Sequence, residues 1–172
     1  METKNIAAPE IRSLSLLYFQ RAEVYFELKE YEKCIDDLQK SISLNGTFYP
    51  NAYFMLAISL RSTGHYEKSI EAINYAISIS EKPLPKYFIE RGISYYKLEE
   101  YNLAIRDFLE GFKYFIIYPE ATRILALSYD KIGDIQGTMK NMIRAAEQGD
   151  SIAKDYIINL GNFMNEEYKK LF

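Results

Sequence analysis

The chain has 172 residues, a formal net charge of −3 and 48% hydrophobic residues, which is enough apolar material for a continuous core and excludes an intrinsically disordered segment. Its Lys and Arg residues occur singly or in pairs, so we expect no nucleic-acid partner, because a phosphate backbone requires clustered basic side chains. The lone Cys34 and the lone His65 have no disulfide or metal-ligand spacing, and we expect no metal and no cofactor.

Neither a secretory signal nor a membrane span is expected. The first ten residues carry charges where a signal sequence would have its apolar core. The most apolar run, Phe112 to Tyr118, contains Lys113 and is followed by Pro119, and it is far shorter than the roughly 20 residues that span a bilayer. These features favour a cytoplasmic protein that is not inserted into a membrane.

Three short segments recur at a fixed spacing along the chain. They are residues 30–35, 65–70 and 100–105, and their tyrosines, Tyr31, Tyr66 and Tyr101, are separated by 35 positions each. Apolar residues with helical spacing precede and follow each tyrosine, so each unit is predicted to be a helix, a turn and a second helix.

In chain order, an N-terminal extension is followed by four such units and a final helix that caps the last one. The predicted boundaries are 1–14 for the extension, 15–49, 50–84, 85–118 and 119–152 for repeats 1 to 4, and 153–172 for the capping helix. The fourth repeat diverges, with Ile135 in place of the tyrosine. Asp150 and Ser151 provide a helix N-cap signal for the capping helix.

Small and bulky residues alternate at fixed places when position 1 of each unit is set at Ser15, Pro50, Pro85 and Pro119. Position 8 is always small, and positions 20 and 27 of the second helix are small as well. Position 24 is bulky and apolar in all four units. Small side chains allow neighbouring helices to approach to about 8–10 Å while the bulky ones fill the remaining space.

This pattern resembles the tetratricopeptide repeat (TPR). The resemblance covers residues 15–152 and implies an all-α fold, in which antiparallel helix pairs form a right-handed superhelical array, an α-solenoid, of about four repeats plus the capping helix. The chain departs from the family template by lacking Trp, by having Arg21 and Arg91 where Leu is usual and Thr122 where an aromatic is usual, and by displacing proline to the start of a repeat.

Members of this family bind peptides on a concave face formed by positions 2, 5, 6, 9, 12 and 13 of each first helix. Carried over to this sequence, those positions predict a mostly apolar groove. The candidate protein-binding residues are Phe19, Phe26, Phe54, Met55, Ile58, Ile89, Ile93, Tyr96, Ile124 and Leu127. Alternatively, these side chains are covered within the molecule by residues 1–14, by neighbouring helices, or by a second subunit in a homodimer.

The resemblance implies a protein–protein interaction adaptor or scaffold that binds an apolar or amphipathic segment of another protein, and not an enzyme. The alternative is a chaperone of a secreted hydrophobic protein, as in type III secretion. Co-chaperones of this family hold the acidic C-terminal peptides of heat-shock proteins in a carboxylate clamp. The clamp positions here are Phe19, Glu23, Met55, Lys86 and Glu90. Since only Lys86 matches, we do not expect that peptide class as a partner.

Overall fold

A computed structural model describes residues 8–45, 49–114 and 117–170, which form nine α-helices, one short 3-10 helix and no strand. The helices are α1 (Ala8–Glu27), α2 (Tyr31–Asn45), α3 (Pro50–Ser62), α4 (Tyr66–Ser78), α5 (Pro85–Lys97), α6 (Tyr101–Gly111), α7 (Pro119–Lys131), α8 (Ile135–Glu147) and α9 (Ser151–Lys170), with the 3-10 turn at Phe112–Tyr114. The expected all-helical fold is confirmed for these residues. Residues 1–7 of the expected extension, and Phe115 and Ile116 of the apolar run, lie outside them.

The first helix begins earlier than the repeat pattern indicates. It starts at Ala8 rather than near Ser15. Pro9 lies in its first turn, where a missing N–H is tolerated, and Glu10 is placed favourably for the helix dipole. Residues 8–14 therefore extend α1 by about two turns instead of forming a separate segment.

Different residues start the later helices. Pro50 and Pro119 are the first residues of α3 and α7, as expected for a residue whose fixed φ suits the first helical turn. The Asp134 carboxylate accepts a hydrogen bond from the Gly137 backbone N–H at 2.8 Å at the start of α8. The Asp150 carboxylate accepts one from the Ala153 N–H at the start of α9, also at 2.8 Å. Both are side-chain caps that satisfy otherwise unpaired donors.

The turn inside each unit has the same backbone conformation. Position 15 has a positive φ in all four units, with Lys29 at 58°, Gly64 at 84°, Glu99 at 64° and Gly133 at 79°. The N–H of the next residue bonds to the carbonyl of position 11, for example Glu30 to Tyr25 at 2.9 Å. This is the geometry of a Schellman-type helix end. It reverses the chain so that the two helices of a unit pack side by side.

The small and bulky positions are buried together. Ala22, Ala57 and Ala126 at position 8 are inaccessible to solvent, as are the bulky Leu38, Ile73 and Phe108 at position 24. Where position 8 is Gly92, a Cβ would lie 3.2 Å from the Phe108 ring. Large side chains therefore fill space that the small ones leave, as the sequence pattern indicates.

The chain divides into two compact units, residues 1–90 and 91–172. In the first unit α1 packs on α2, α2 on α3 and α3 on α4, and Tyr87 from the start of α5 joins their core. In the second unit the rest of α5 contacts α6 through Gly92, and α6, α7, α8 and α9 pack successively. None of the helices in the described ranges combines the length and apolar character needed to cross a membrane.

Candidate functional site

In the first unit, the predicted groove residues differ in how much of their surface they offer. Phe19 and Ile58 are half-buried and pack against the core. Phe54 and Met55 are buried, and Ile89 is almost completely so. The structure therefore places Phe19 and Ile58 at the surface and uses the other three mainly for packing.

Phe54 is covered by two neighbours from the start of α5. Its ring centroid lies 5.2 Å from that of Tyr87, and the Lys86 ammonium lies over the ring at 4.3 Å from its centroid. Such a cation–π contact is favourable and shields the ring from solvent. Any ligand that reached Phe54 would first have to displace Lys86.

Phe26 and Tyr96 have a local structural role. Phe26 packs edge-on against Tyr31 with ring centroids 6.1 Å apart, and Tyr96 packs in the same way against Tyr101 at 5.8 Å. Both contacts join position 12 to the recurrent tyrosine at position 17. These aromatic pairs hold the turn of their own repeat, which leaves only part of each ring exposed.

Part of the predicted set is buried in the second unit as well. Ile93 and Ile124 are buried, whereas Leu127 is half-buried. At position 5 of the fourth repeat the groove residue is charged: the Arg123 guanidinium donates to the Asp150 carboxylate at 3.0 Å. That ion pair ties α7 to the cap of α9.

A cleft of about 420 Å³ opens in the first unit, beside α1. Some of its lining residues occupy groove positions of the family, and these include both apolar and charged side chains. The others lie next to those positions. The lining residues are Arg12, Ser15, Leu16, Phe19, Glu23, Ser41, Tyr49 and Asn51. Leu16 and Tyr49 expose 53% and 65% of their surface, so the cleft presents apolar groups to solvent.

Two serines connect α1 and α2 at this cleft. The Ser15 hydroxyl donates to the Ser41 carbonyl and the Ser41 hydroxyl donates to the Ser15 carbonyl, each at 2.9 Å. Both residues are buried, so these reciprocal bonds satisfy polar groups away from water. They hold two helices close together with side chains too small to fill the space above them.

Of the candidate residues named from the sequence, only Phe19 lines this cleft. Leu16 and Asn51 occupy position 2 of their repeats, a groove position in the family, so this signal was present in the sequence. Arg12 was missed because it precedes the repeat and belongs to the groove-lining helix only through the early start of α1.

The two arginines that depart from the family template each form an ion pair with a buried aspartate. Arg21 donates two hydrogen bonds to Asp37, at 2.5 and 2.8 Å, and Arg91 donates two to Asp107, at 2.6 and 2.8 Å. Both aspartates are buried, and both pairs join positions 7 and 23. Hydrogen bonding to the carboxylate raises the pKa of Arg21 and of Arg91 above the usual value.

Where position 7 is a leucine, position 23 is uncharged. Leu56 is matched by Ala72, and Leu125 by Asn141. An arginine at position 7 therefore occurs together with an aspartate 16 residues later, and the structure shows that this spacing joins the two side chains.

Cys34 and His65 do not line the cleft. Cys34 is buried, burial raises the pKa of its thiol, and its sulfur accepts a hydrogen bond from the Ser59 hydroxyl at 3.3 Å. His65 is exposed in a turn, with its Nδ1 3.0 Å from the Thr63 hydroxyl. Across the described residues, no three His, Cys, Asp or Glu side chains are grouped so that they could hold a metal ion.

Comparison with known proteins identifies the repeat. The tetratricopeptide repeat family matches residues 15–48 and again residues 50–83. No protein in the curated set matches the chain significantly.

Several solved structures share the fold. YrrB, described as a TPR protein with an unusual peptide-binding site, superposes with a TM-score of 0.74 at 14% identity, over 86% of this chain and 75% of that one. MamA from Desulfovibrio magneticus RS-1 gives a TM-score of 0.70 at 16% identity, over 78% and 75%. The first TPR of Spaghetti (RPAP3), bound to the HSP90 peptide SRMEEVD, gives 0.62 at 18% identity, over 70% and 94%.

At these identities the likeness concerns the fold: helix pairs, about four repeats and a capping helix. Together with the two repeat matches, the recurrent turn and the buried small positions, it supports a tetratricopeptide repeat protein, whose fold is that of a protein-interaction scaffold.

Proposed function

We propose that this protein is a cytoplasmic adaptor that binds an apolar or amphipathic segment of a partner protein, and that the first-unit cleft receives an apolar side chain of that segment. The cleft of about 420 Å³ between Leu16, Phe19 and Tyr49 supports the proposal. Concave, mainly apolar sites with a few polar groups are the usual form of binding sites.

The exposed apolar groups of the cleft are suited to provide binding energy. Burying them against a partner removes apolar surface from water, which contributes roughly 25 cal/mol per Å². Aromatic anchors seated in pockets usually dominate such interfaces. Arg12 and Glu23 line the same cleft, so a segment with polar groups beside its apolar anchor is favoured over a purely apolar one.

The geometry at the clamp positions argues against the acidic peptides of heat-shock proteins. Glu23 lines the cleft, where its carboxylate would repel an acidic peptide. Glu90 is engaged by Arg61 at 3.0 Å, and Lys86 lies over Phe54. The peptide held by the RPAP3 domain is therefore a negative control for this chain.

We also propose that the protein has no enzymatic activity. A nucleophile requires a low pKa or an adjacent base, whereas burial raises the pKa of Cys34. His65 contacts a threonine hydroxyl in an exposed turn. Neither group lines the cleft.

The test begins with capture of partners from the native cell and mass spectrometry, followed by affinity measurements with a synthetic segment of the captured partner. The variant Leu16→Asp/Tyr49→Asp places charge on the two most exposed apolar groups of the cleft. The control Leu109→Asp changes an exposed leucine on α6. We expect at least a ten-fold loss of affinity in the cleft variant, little change in the control, and no binding of SRMEEVD to any of them.

The cleft residues are better probes than the buried groove residues. Phe54 and Ile93 each expose only 9% of their surface, so truncating them is expected to cost about 3 kcal/mol or more each in stability. Equal affinity of the cleft variant and the control would refute the proposal. A dimer that the cleft variant converts to a monomer would assign the cleft to a second copy. A secreted hydrophobic partner would favour the chaperone alternative.

A further inference from the structure

Positions 3 and 10 of a first helix face the second helix of the preceding repeat. In α3 these positions are Ala52 and Ser59, both with no exposed surface, and the Ser59 hydroxyl contacts the Cys34 sulfur on α2 at 3.3 Å. In α7 they are Ala121 and Ser128, which are 2% and 0% exposed, and α7 packs on α6. Within each unit, a neighbouring helix therefore covers the side chains at these two positions.

The equivalent positions of α1 are bulky, aliphatic and exposed. Leu17 at position 3 exposes 61% of its surface and Val24 at position 10 exposes 56%. Leu28, one turn further on, exposes 62%. At about 100° per residue the three side chains lie within roughly 20° of one line along the helix. They form a continuous apolar stripe, which we call the α1 end face.

We propose that the α1 end face binds an amphipathic helix of a partner protein, on a surface separate from the cleft. The occupant is a helix because α3 and α7 use the same positions to pack on a helix. Leu17 and Val24 are larger than Ala52 and Ser59. Small residues on the incoming helix are thus required to keep the axes about 8–10 Å apart.

The charges beside the α1 end face indicate which charge the partner helix should carry along its polar edge. Glu27 is exposed and lies about 80° from Leu17 around the helix, on one side of the stripe. On the other side, Arg21 is engaged by Asp37 in two hydrogen bonds, so its charge is compensated within the repeat. Electrostatic complementarity therefore favours Lys or Arg along one edge of the partner helix.

The probe is a 15-residue lactam-bridged helical peptide with alanine on one face and lysine along one edge of that face. A second peptide has glutamate in place of lysine. Affinity for the full chain is measured by fluorescence anisotropy at low salt. We expect the lysine peptide to bind at least ten-fold more tightly than the glutamate peptide.

The variant Leu17→Lys/Val24→Lys tests the surface directly. Because both residues are exposed, the thermal midpoint should stay nearly unchanged, whereas affinity for the lysine peptide should fall at least ten-fold. The control Leu109→Lys has a comparably exposed leucine and should keep wild-type affinity. The cleft variant Leu16→Asp/Tyr49→Asp should also bind the peptide, so the two surfaces are tested separately.

Four results would overturn the proposal. They are absence of binding to the wild-type chain, equal loss in the Leu109→Lys control, binding that appears only after deletion of residues 1–7, and a wild-type dimer that Leu17→Lys/Val24→Lys converts to a monomer. The third result would mean that the protein's own N-terminal segment occupies the face. The fourth would mean that a second copy does.

Discussion

Replacing Gly92 tests the close approach of α5 and α6. A Cβ at this position would lie 3.2 Å from Cδ1 and Cε1 of Phe108 and 3.3 Å from the Ala104 carbonyl oxygen. Phe108 has no exposed surface and stacks on Phe112, with ring centroids 6.1 Å apart. The ring therefore has little room to move away from an added side chain.

Two opposing effects determine how a substitution at Gly92 changes the free energy of unfolding. Alanine in place of a mid-helix glycine gains about 1 kcal/mol in helix propensity, while overfilling a packed core costs about 1–3 kcal/mol. We expect Gly92→Ala to lose most or all of the propensity gain. Gly92→Leu, with three more heavy atoms than alanine, should cost about 3 kcal/mol, which lowers the thermal midpoint by roughly 6–12 °C in a protein of this size.

Gly161 provides the matched control. It also lies within a helix, α9, but a Cβ there meets nothing within 4 Å. Gly161→Ala should be neutral or stabilising by up to about 1 kcal/mol. Urea unfolding followed by circular dichroism measures both effects. Equal stabilisation by alanine at the two positions, or a Gly92→Leu variant as stable as wild type, would refute the inferred packing.

Two further predictions concern buried groups. Arg91→Leu removes the bidentate partner of buried Asp107 and should lower the free energy of unfolding by about 3 kcal/mol. The double variant Arg91→Leu/Asp107→Ala copies Leu56 and Ala72 of the second repeat and should recover most of this loss in urea unfolding. A double variant no more stable than the single one would refute the coupling. Cys34 is buried and burial raises the pKa of its thiol, so reaction with a thiol reagent at neutral pH should be slow until urea unfolds the protein, and equal rates in native and unfolded protein would contradict this.

Much of the fold follows from local patterns in the sequence. The 35-residue spacing of Tyr31, Tyr66 and Tyr101 predicts the repeat, because each helix pair needs the same turn and the same packing partners. Small residues such as Ala57 and Gly92 predict where helices approach closely, and both are buried. Helix periodicity and side-chain size are properties of nearby residues, so a single sequence is sufficient to read them.

The candidate site was harder to predict than the fold, because it depends on contacts between residues that are distant in the sequence. Phe54 and Phe19 occupy the same position of successive repeats, yet Phe54 is covered by Lys86 and Tyr87 while Phe19 lines an open cleft. The sequence identifies both as apolar groove residues and does not distinguish them. Exposure is decided by what the next helix places above a side chain, and this differs between repeats.

From the sequence alone come the helical class, the repeat and the positions that must be small, because these depend on spacing along one helix and on side-chain volume. The tertiary structure alone decides that Arg21 pairs with Asp37, that Leu16 and Tyr49 meet at one cleft, and that positions buried in α3 and α7 are exposed in α1. These features arise where separate helices meet or where no described helix covers a face. The sequence identifies the residues, but their surroundings become defined only when the helices pack.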